Sequence, residues 1–315
     1  MALHAFIFPG QGSQAVGMGR DLAASFAPAR HVFEEVDEVL KQKLSKLMFE
    51  GPSDELTLTE NAQPALMAVS LAVLRVLQLE GGISLERKAK LVAGHSLGEY
   101  AALAAAESFS VAETARLLKL RGQAMQKAVA PGIGAMAALL GVEFEAAREI
   151  CRQAEANGEI VSAANDNGGG QVVISGHKTA VERAIDIAKA QGVKRAMLLP
   201  VSAPFHCALM APAADAMAEA FANIPPRTPV VPVVANVTAA PTTDPNTIRD
   251  LLVQQVTATV RWRESVLAMT AAGIDSFIEI GAGKVLAGLV KRISPDATTH
   301  SIGSPADIEA ILKVL

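Results

Sequence analysis

The strongest chemical signal in this chain is a serine with a glycine two residues away on either side, Gly94-His95-Ser96-Leu97-Gly98. Before it, Leu91-Val92-Ala93 is a short apolar run of the kind that forms a buried strand. After it, an alanine- and leucine-rich run reads as a helix. Strand, sharp turn and helix are the setting in which G-x-S-x-G makes a nucleophile elbow. The glycines let strand and helix approach because no Cβ stands between them. The elbow raises the Ser96 hydroxyl above the sheet. It also aims the first N–H groups of the helix, which have no intrahelical acceptor, at whatever the serine attacks. The plainer alternative is a tight turn in which serine only caps the helix. The flanking strand and helix favour the nucleophile.

A serine nucleophile needs a base to take its proton. Of the six histidines, His95 is on the elbow itself, and adjacent side chains point apart. His4 precedes the first strand, His31 sits in an ordinary amphipathic helix, His177 follows a strand and His300 falls near the C-terminus. His206, in Val201-Ser202-Ala203-Pro204-Phe205-His206-Cys207, lies on a loop late in the chain, where elbow enzymes carry their histidine. It is the first choice for the base. Cys207 beside it reads as a small apolar filler.

The third notable side chain is Arg121. Its neighbours three and four positions away are Leu117, Leu118, Ala124 and Met125, so a guanidinium stands in an apolar helical stripe. Either it snorkels or closes a structural ion pair, or it waits for an anionic ligand. The pattern leaves both readings open.

The elements that must position these residues follow from composition and periodicity. The chain has 315 residues, half of them apolar, under a fifth charged, and a net charge of −4. That suits packed α/β layers with a sizeable core and argues against a nucleic-acid partner. The two cysteines, Cys151 and Cys207, offer neither a disulfide framework nor a metal cluster. No signal peptide or spanning segment is visible, so a cytoplasmic protein without a membrane partner is expected.

Ala5-Phe6-Ile7-Phe8 reads as a strand ending in the loop Pro9-Gly10-Gln11-Gly12-Ser13-Gln14. Gly10, Gly12 and Ala15 match a dinucleotide fingerprint, but no second strand with a terminal acid follows soon, as such a unit requires. Residues 20–80 are mostly helical, and a helix opening at Asn61-Ala62-Gln63-Pro64 is apolar nearly all round. Ser110-Val111-Ala112-Glu113 is a capping box that opens the helix carrying Arg121. From 135 to 199 the pattern is strand, helix, strand, strand, helix, strand, a ferredoxin-like βαββαβ unit. The glycines at 168–170 form the turn between its middle strands. Further strands are expected over 230–235 and 276–281, with a helix over 250–256. Gly281-Ala282-Gly283-Lys284 lacks the spacing and the hydroxyl residue of a P-loop. No cofactor is implied.

Five separated motifs now stand in one order: Gly10-Gln11-Gly12-Ser13-Gln14, Gly94 to Tyr100, Arg121-Gly122-Gln123-Ala124-Met125, Phe205-His206, and Glu279 to Leu286. Together they span nearly the whole chain and resemble the malonyl-CoA:acyl carrier protein transacylases. The resemblance implies an α/β hydrolase-like core with a parallel sheet, formed by 1–130 and 199–315, with a ferredoxin-like subdomain inserted at 131–198. It implies Ser96 as nucleophile, His206 as base, and the Gln11 and Leu97 N–H groups as oxyanion hole. Arg121 would hold the malonyl carboxylate. Gln255 matches the position that orients the histidine through a neutral oxygen, with Gln254 beside it as the neighbouring register. Phe205 would narrow the space at the acyl α-carbon and favour malonyl over branched groups. The implied partners are malonyl-CoA and acyl carrier protein, and a monomeric enzyme of fatty-acid biosynthesis is expected. Ala282 departs from the proline frequent in the family at that position. A serine esterase or thioesterase on the same elbow, or a malonyltransferase of a polyketide pathway, are the competing expectations.

Overall fold

The computed structural model describes residues 3–315. Its centre is the strand β1 (His4–Phe8), whose residues from Ala5 onward are fully buried. A strand hidden on both faces reads as a continuous apolar run, which is why Ala-Phe-Ile-Phe carries no alternation. β1 pairs in parallel with β2 (Ala89–Gly94) on one side and with β9 (Ser276–Ile280) on the other. β10 (Thr298–Ile302) extends the sheet in parallel beyond β9. On the far side β7 (Val233–Val234) runs parallel to β2, and β8 (Pro241–Thr242) returns antiparallel to it. The order is β10-β9-β1-β2-β7-β8.

The helix Thr59–Leu79 covers one face of this sheet and is buried over most of its length. It has the length and hydropathy of a membrane-crossing segment, but its apolar surface is enclosed by the protein core. It begins two residues before the expected Asn61, so Pro64 lies inside it. Proline there cannot donate to the carbonyl four residues back. The helix Val111–Lys127 crosses it and begins with the anticipated capping box, Ser110 and Glu113 bonding reciprocally. Gly122 makes the crossing close. A Cβ at that position would lie 2.5 Å from the Glu60 Cα. The contact brings Gln63 of one helix beside Arg121 of the other.

Between β2 and β7 the chain builds a second, antiparallel sheet. β3 (Gly134–Leu140), β4 (Val161–Asp166), β5 (Gln171–His177) and β6 (Arg195–Leu198) pair in the order β4-β5-β3-β6. The helices Phe144–Ala154 and Lys178–Ala190 pack on one face and enclose a separate apolar core around Ala147, Ile150, Val181 and Ile185. One tie between the second sheet and the rest of the chain runs through Val260. Val260 makes a parallel bridge with Asn165, its N–H donating to the Ala164 carbonyl and its carbonyl accepting from Asp166. Arg263 closes the joint on the Asp166 carboxylate at 2.8 Å.

Two elements of the first sheet differ from expectation. The strand expected over 230–235 contracts to Val233–Val234. Pro229 and Pro232 interrupt it, because proline has no N–H for a ladder. β10 was not anticipated, because Thr298-Thr299-His300-Ser301 is polar and the strand lies at the sheet edge, half exposed.

Candidate active site

Gly94 ends β2 and Leu97 begins the helix Leu97–Ala105. Ser96 between them has φ 55° and ψ −111°. Such a conformation is costly for any residue with a Cβ and persists only where the surroundings impose it. The two glycines are part of that imposition. A Cβ on Gly94 would fall 1.9 Å from the Gly98 carbonyl carbon, and one on Gly98 would fall 2.2 Å from the Phe8 oxygen. Strand, turn and helix are thus in backbone contact. Gly10 meets the elbow in the same way, its missing Cβ directed at the His95 oxygen 2.6 Å off. The Gly10–Gly12 loop rests on the elbow, which agrees with its failing the dinucleotide pattern.

Asn236, two residues past β7, clamps both ends of the turn. Its Oδ1 accepts from the Ser96 N–H at 2.8 Å and its Nδ2 donates to the Gly94 carbonyl at 2.7 Å. A single amide therefore satisfies a donor and an acceptor that the sharp turn leaves unpaired.

The Ser96 Oγ lies 2.7 Å from His206 Nε2. His206 Nδ1 lies 2.8 Å from the main-chain oxygen of Gln255. A carbonyl can only accept, so Nδ1 carries the proton and Nε2 presents its lone pair to the serine. Burial pushes the imidazole pKa down to about 3, helped by the positive charge of Arg121 nearby. The ring is therefore neutral at ordinary pH, the form that can take a proton. Between the two neighbouring glutamines, the one at the histidine is Gln255, the last residue of the helix Pro245–Gln255, where main-chain carbonyls lack intrahelical donors.

Arg121 is fully buried, and its hydrogen-bond partners are all neutral. Nη1 donates to Gln63 Oε1 at 2.8 Å, and Nη2 donates to Gln255 Oε1 at 2.9 Å and to the Ser96 Oγ at 3.3 Å. Its Nε has no acceptor, and its guanidinium carbon lies 5.5 Å from the centre of the Tyr100 ring. Burial lowers its pKa, while the neighbouring Tyr100 and Glu99 act the other way. A buried guanidinium held by amides and an aromatic face is charged but uncompensated at contact distance, the condition under which an anionic ligand gains most. From Gln63 the network continues. Gln63 Nε2 donates to Thr59 Oγ1 at 2.9 Å, and that hydroxyl donates to Gln11 Oε1 at 3.0 Å.

These groups open onto one cavity of about 370 Å³ between the two sheets. Gln11 and Leu97 line it, and their N–H groups have no protein acceptor among the described residues. Phe205 forms part of the wall. Met136, Asn165, Asn167 and Val173 line it from the second sheet. The Asn167 Oδ1 lies 2.9 Å from the His95 Nε2, so the elbow itself is tied to the second sheet.

All seven residues singled out from the sequence meet at this cavity or its hydrogen-bond network. Three were missed. Asn236 follows a two-residue strand and carries no motif. Gln63 had a signal, as a polar residue on a helix buried all round. Glu99 lies within the elbow motif but points away from the cavity, toward Gln255 and Asn236.

An acyl transferase domain matches residues 5–302. The chain belongs to the acyl transferase family. It is similar to the malonyl CoA-acyl carrier protein transacylase of Escherichia coli K12, 46% identical over 314 residues and covering 100% of each chain. Among solved structures, the acyl-carrier-protein-S-malonyltransferase of Bartonella henselae superposes with a TM-score of 0.97 at 55% identity, covering 99% of each chain. A malonyl-transacylase solved in complex with a type II PKS acyl-carrier protein superposes at 0.95, with 44% identity over 100% of each chain.

Proposed function

We propose that this acyl transferase moves a malonyl group from malonyl-CoA to the pantetheine thiol of acyl carrier protein, by a ping-pong mechanism in fatty-acid biosynthesis. The observation that carries the reading is the Arg121 Nη2, 3.3 Å from the Ser96 Oγ and without a carboxylate partner at contact distance. An acyl group esterified to Ser96 and ending in a carboxylate two carbons away would bring that carboxylate within reach of the guanidinium.

In the first half-reaction His206 Nε2 takes the Ser96 proton as Oγ attacks the thioester carbonyl. The oxyanion that forms is held by the N–H groups of Gln11 and Leu97, two residues that line the cavity and whose N–H groups have no protein acceptor among the described residues. Collapse of the intermediate breaks the C–S bond, and the departing CoA thiolate receives the proton from His206. The second half-reaction reverses the roles. The carrier thiol gives its proton to His206 and attacks the ester, and the Ser96 alkoxide takes the proton back as it leaves. The Gln255 carbonyl holds the imidazole in register throughout. It bears no full charge, so the imidazolium is less supported than with a carboxylate. The malonyl carboxylate offsets this, because it neutralises Arg121, one of the charges that depresses the His206 pKa.

The same reading takes 1–130 and 199–315 as a hydrolase-like catalytic domain and 131–198 as a ferredoxin-like subdomain, with the cleft between them as the acyl site. Strand order β4-β5-β3-β6 and the elbow after β2 support it. We further take the enzyme to be a cytoplasmic monomer. Phe205 narrows the cavity beside the acyl α-carbon.

Intact-mass measurement after mixing with malonyl-CoA tests the proposal. A malonyl adduct on the wild type, lost on adding holo acyl carrier protein and never formed on Ser96→Ala, is the expected result. Free malonate without a detectable adduct or transfer would make the protein a thioesterase instead.

A further inference from the structure

Arg121 has a carboxylate in its neighbourhood that it does not touch. Glu99, 3% exposed, stands on the helix that starts at the elbow. The Gln255 side-chain amide lies between the two. Its Oε1 accepts from Arg121 at 2.9 Å, and its Nε2 donates to Glu99 Oε2 at 2.7 Å. A guanidinium only donates and an ionised carboxylate only accepts, so together they force one orientation on the amide. The same Nε2 donates to the Ser96 main-chain oxygen at 3.0 Å, and Glu99 Oε2 also accepts from the Asn236 N–H at 3.1 Å. The mechanism above uses neither the Glu99 charge nor this bridge.

We propose that Glu99 is a specificity-determining residue for the transfer. Through the Gln255 amide it is the anion that balances Arg121 in the free enzyme, and its charge opposes the arrival of a second carboxylate on the same guanidinium. The proposal rests on the reading of Arg121 as the malonyl clamp.

Charge balance in the buried site sets the direction of the effect. With Glu99 ionised, Arg121 and Glu99 cancel, and a malonyl carboxylate leaves the cluster with one uncompensated negative charge. With Glu99 protonated, the substrate carboxylate and Arg121 cancel. An acetyl thioester brings no charge and is indifferent to the difference. Burial raises the Glu99 pKa to about 7 against its hydrogen bonds and the charge of Arg121, so both states are within reach near neutrality. The other ionisable groups facing the cluster are Tyr100 on the same helix, pushed further up by burial, and His206 and His95, both pushed down by burial. The helices and loop that close around it otherwise contribute the neutral amides of Gln63, Asn236 and Gln255. Glu99 is therefore the group whose charge changes there near neutral pH.

The test is the ratio of kcat/KM for malonyl-CoA to that for acetyl-CoA, in wild type and Glu99→Gln, from about pH 6 to about pH 9. Glutamine keeps an oxygen for the Asn236 and Gln255 donors and removes the charge. The expected wild-type ratio falls ~5-fold or more as pH rises through Glu99 ionisation, while that of Glu99→Gln stays level and exceeds wild type at the alkaline end. A level wild-type ratio overturns the proposal whether or not the variant folds. Equal losses for both substrates in Glu99→Gln also overturn it, since they mark a purely structural residue. Arg121→Ala in the same assay separates the two ideas. If it abolishes malonyl preference while the Glu99 results are level, only the role of Glu99 falls; if malonyl preference survives it, the clamp itself falls.

Discussion

Arg121 and Gln255 share a hydrogen bond of 2.9 Å, and the main-chain oxygen of the same glutamine accepts from His206 at 2.8 Å. One residue at the end of a helix thus touches both the group that would bind the substrate carboxylate and the group that would move the proton. Misplacing Gln255 would disturb binding and chemistry together.

Arg121→Ala is expected to invert selectivity. The fork can form two charge-assisted bonds to a carboxylate in a partly dry cavity, so malonyl-CoA loses on the order of 2–5 kcal/mol. Acetyl-CoA loses little or gains. Arg121→Lys recovers only part, because a point charge does not reproduce the planar fork. Specificity constants for both thioesters, beside a melting temperature, check this. Parallel losses with a lowered melting point would make Arg121 a structural residue.

His206→Ala is expected to keep the fold and lower turnover by a factor of about 10² to 10⁴. It should also flatten the response of stability to acid. The imidazole has a folded pKa of about 3 and an unfolded one near 6.5, so the unfolded chain binds the proton more readily. Its contribution is fully present above about pH 6.5 and is lost progressively as pH falls toward about 3. By about pH 5 the loss is on the order of 2 kcal/mol, and His206→Ala lacks it. Denaturant unfolding of both proteins at neutral and acid pH measures the difference. Identical acid sensitivity would place His206 in a more solvated site.

Gly98→Ala is expected to destabilise far more than Gly132→Ala. At Gly98 the new Cβ would stand 2.2 Å from a main-chain oxygen, whereas Gly132, at φ +85°, faces open space. The second change strains only the backbone, at about 1–2 kcal/mol. The first must part strand from helix, at about 3 kcal/mol or more. Similar melting temperatures for the two variants would show that the elbow can relax.

Phe205→Ala is expected to admit methylmalonyl-CoA. Phe205 is 8% exposed and lines the cavity, and a branched methyl beside it costs about 1–3 kcal/mol. The truncated variant should narrow the malonyl-to-methylmalonyl ratio by a corresponding ~10-fold. A wild type indifferent to the methyl group would mean that the ring faces away from the α-carbon.

By itself the sequence determined the elements whose signals are local. An apolar run, two glycines and an alanine-rich stretch specify strand, turn and helix at Ser96, because steric and hydrogen-bond demands act over a few residues. The capping box at Ser110 and the alternation of strands and helices over 135–199 are legible for the same reason. Arg121 could be flagged as anomalous on its stripe, but not assigned a partner. Tertiary structure alone decided what surrounds it. Gln63 lies 58 residues away, Gln255 lies 134 away, and only the close crossing at Gly122 and the end of a distant helix bring them together. The same holds for Asn236, which clamps Ser96 from 140 residues off, and for Glu99, whose partner across the site is Gln255. Polar satisfaction in a buried site is a three-dimensional accounting of donors and acceptors. No local pattern in the chain encodes which carbonyl or amide will stand opposite.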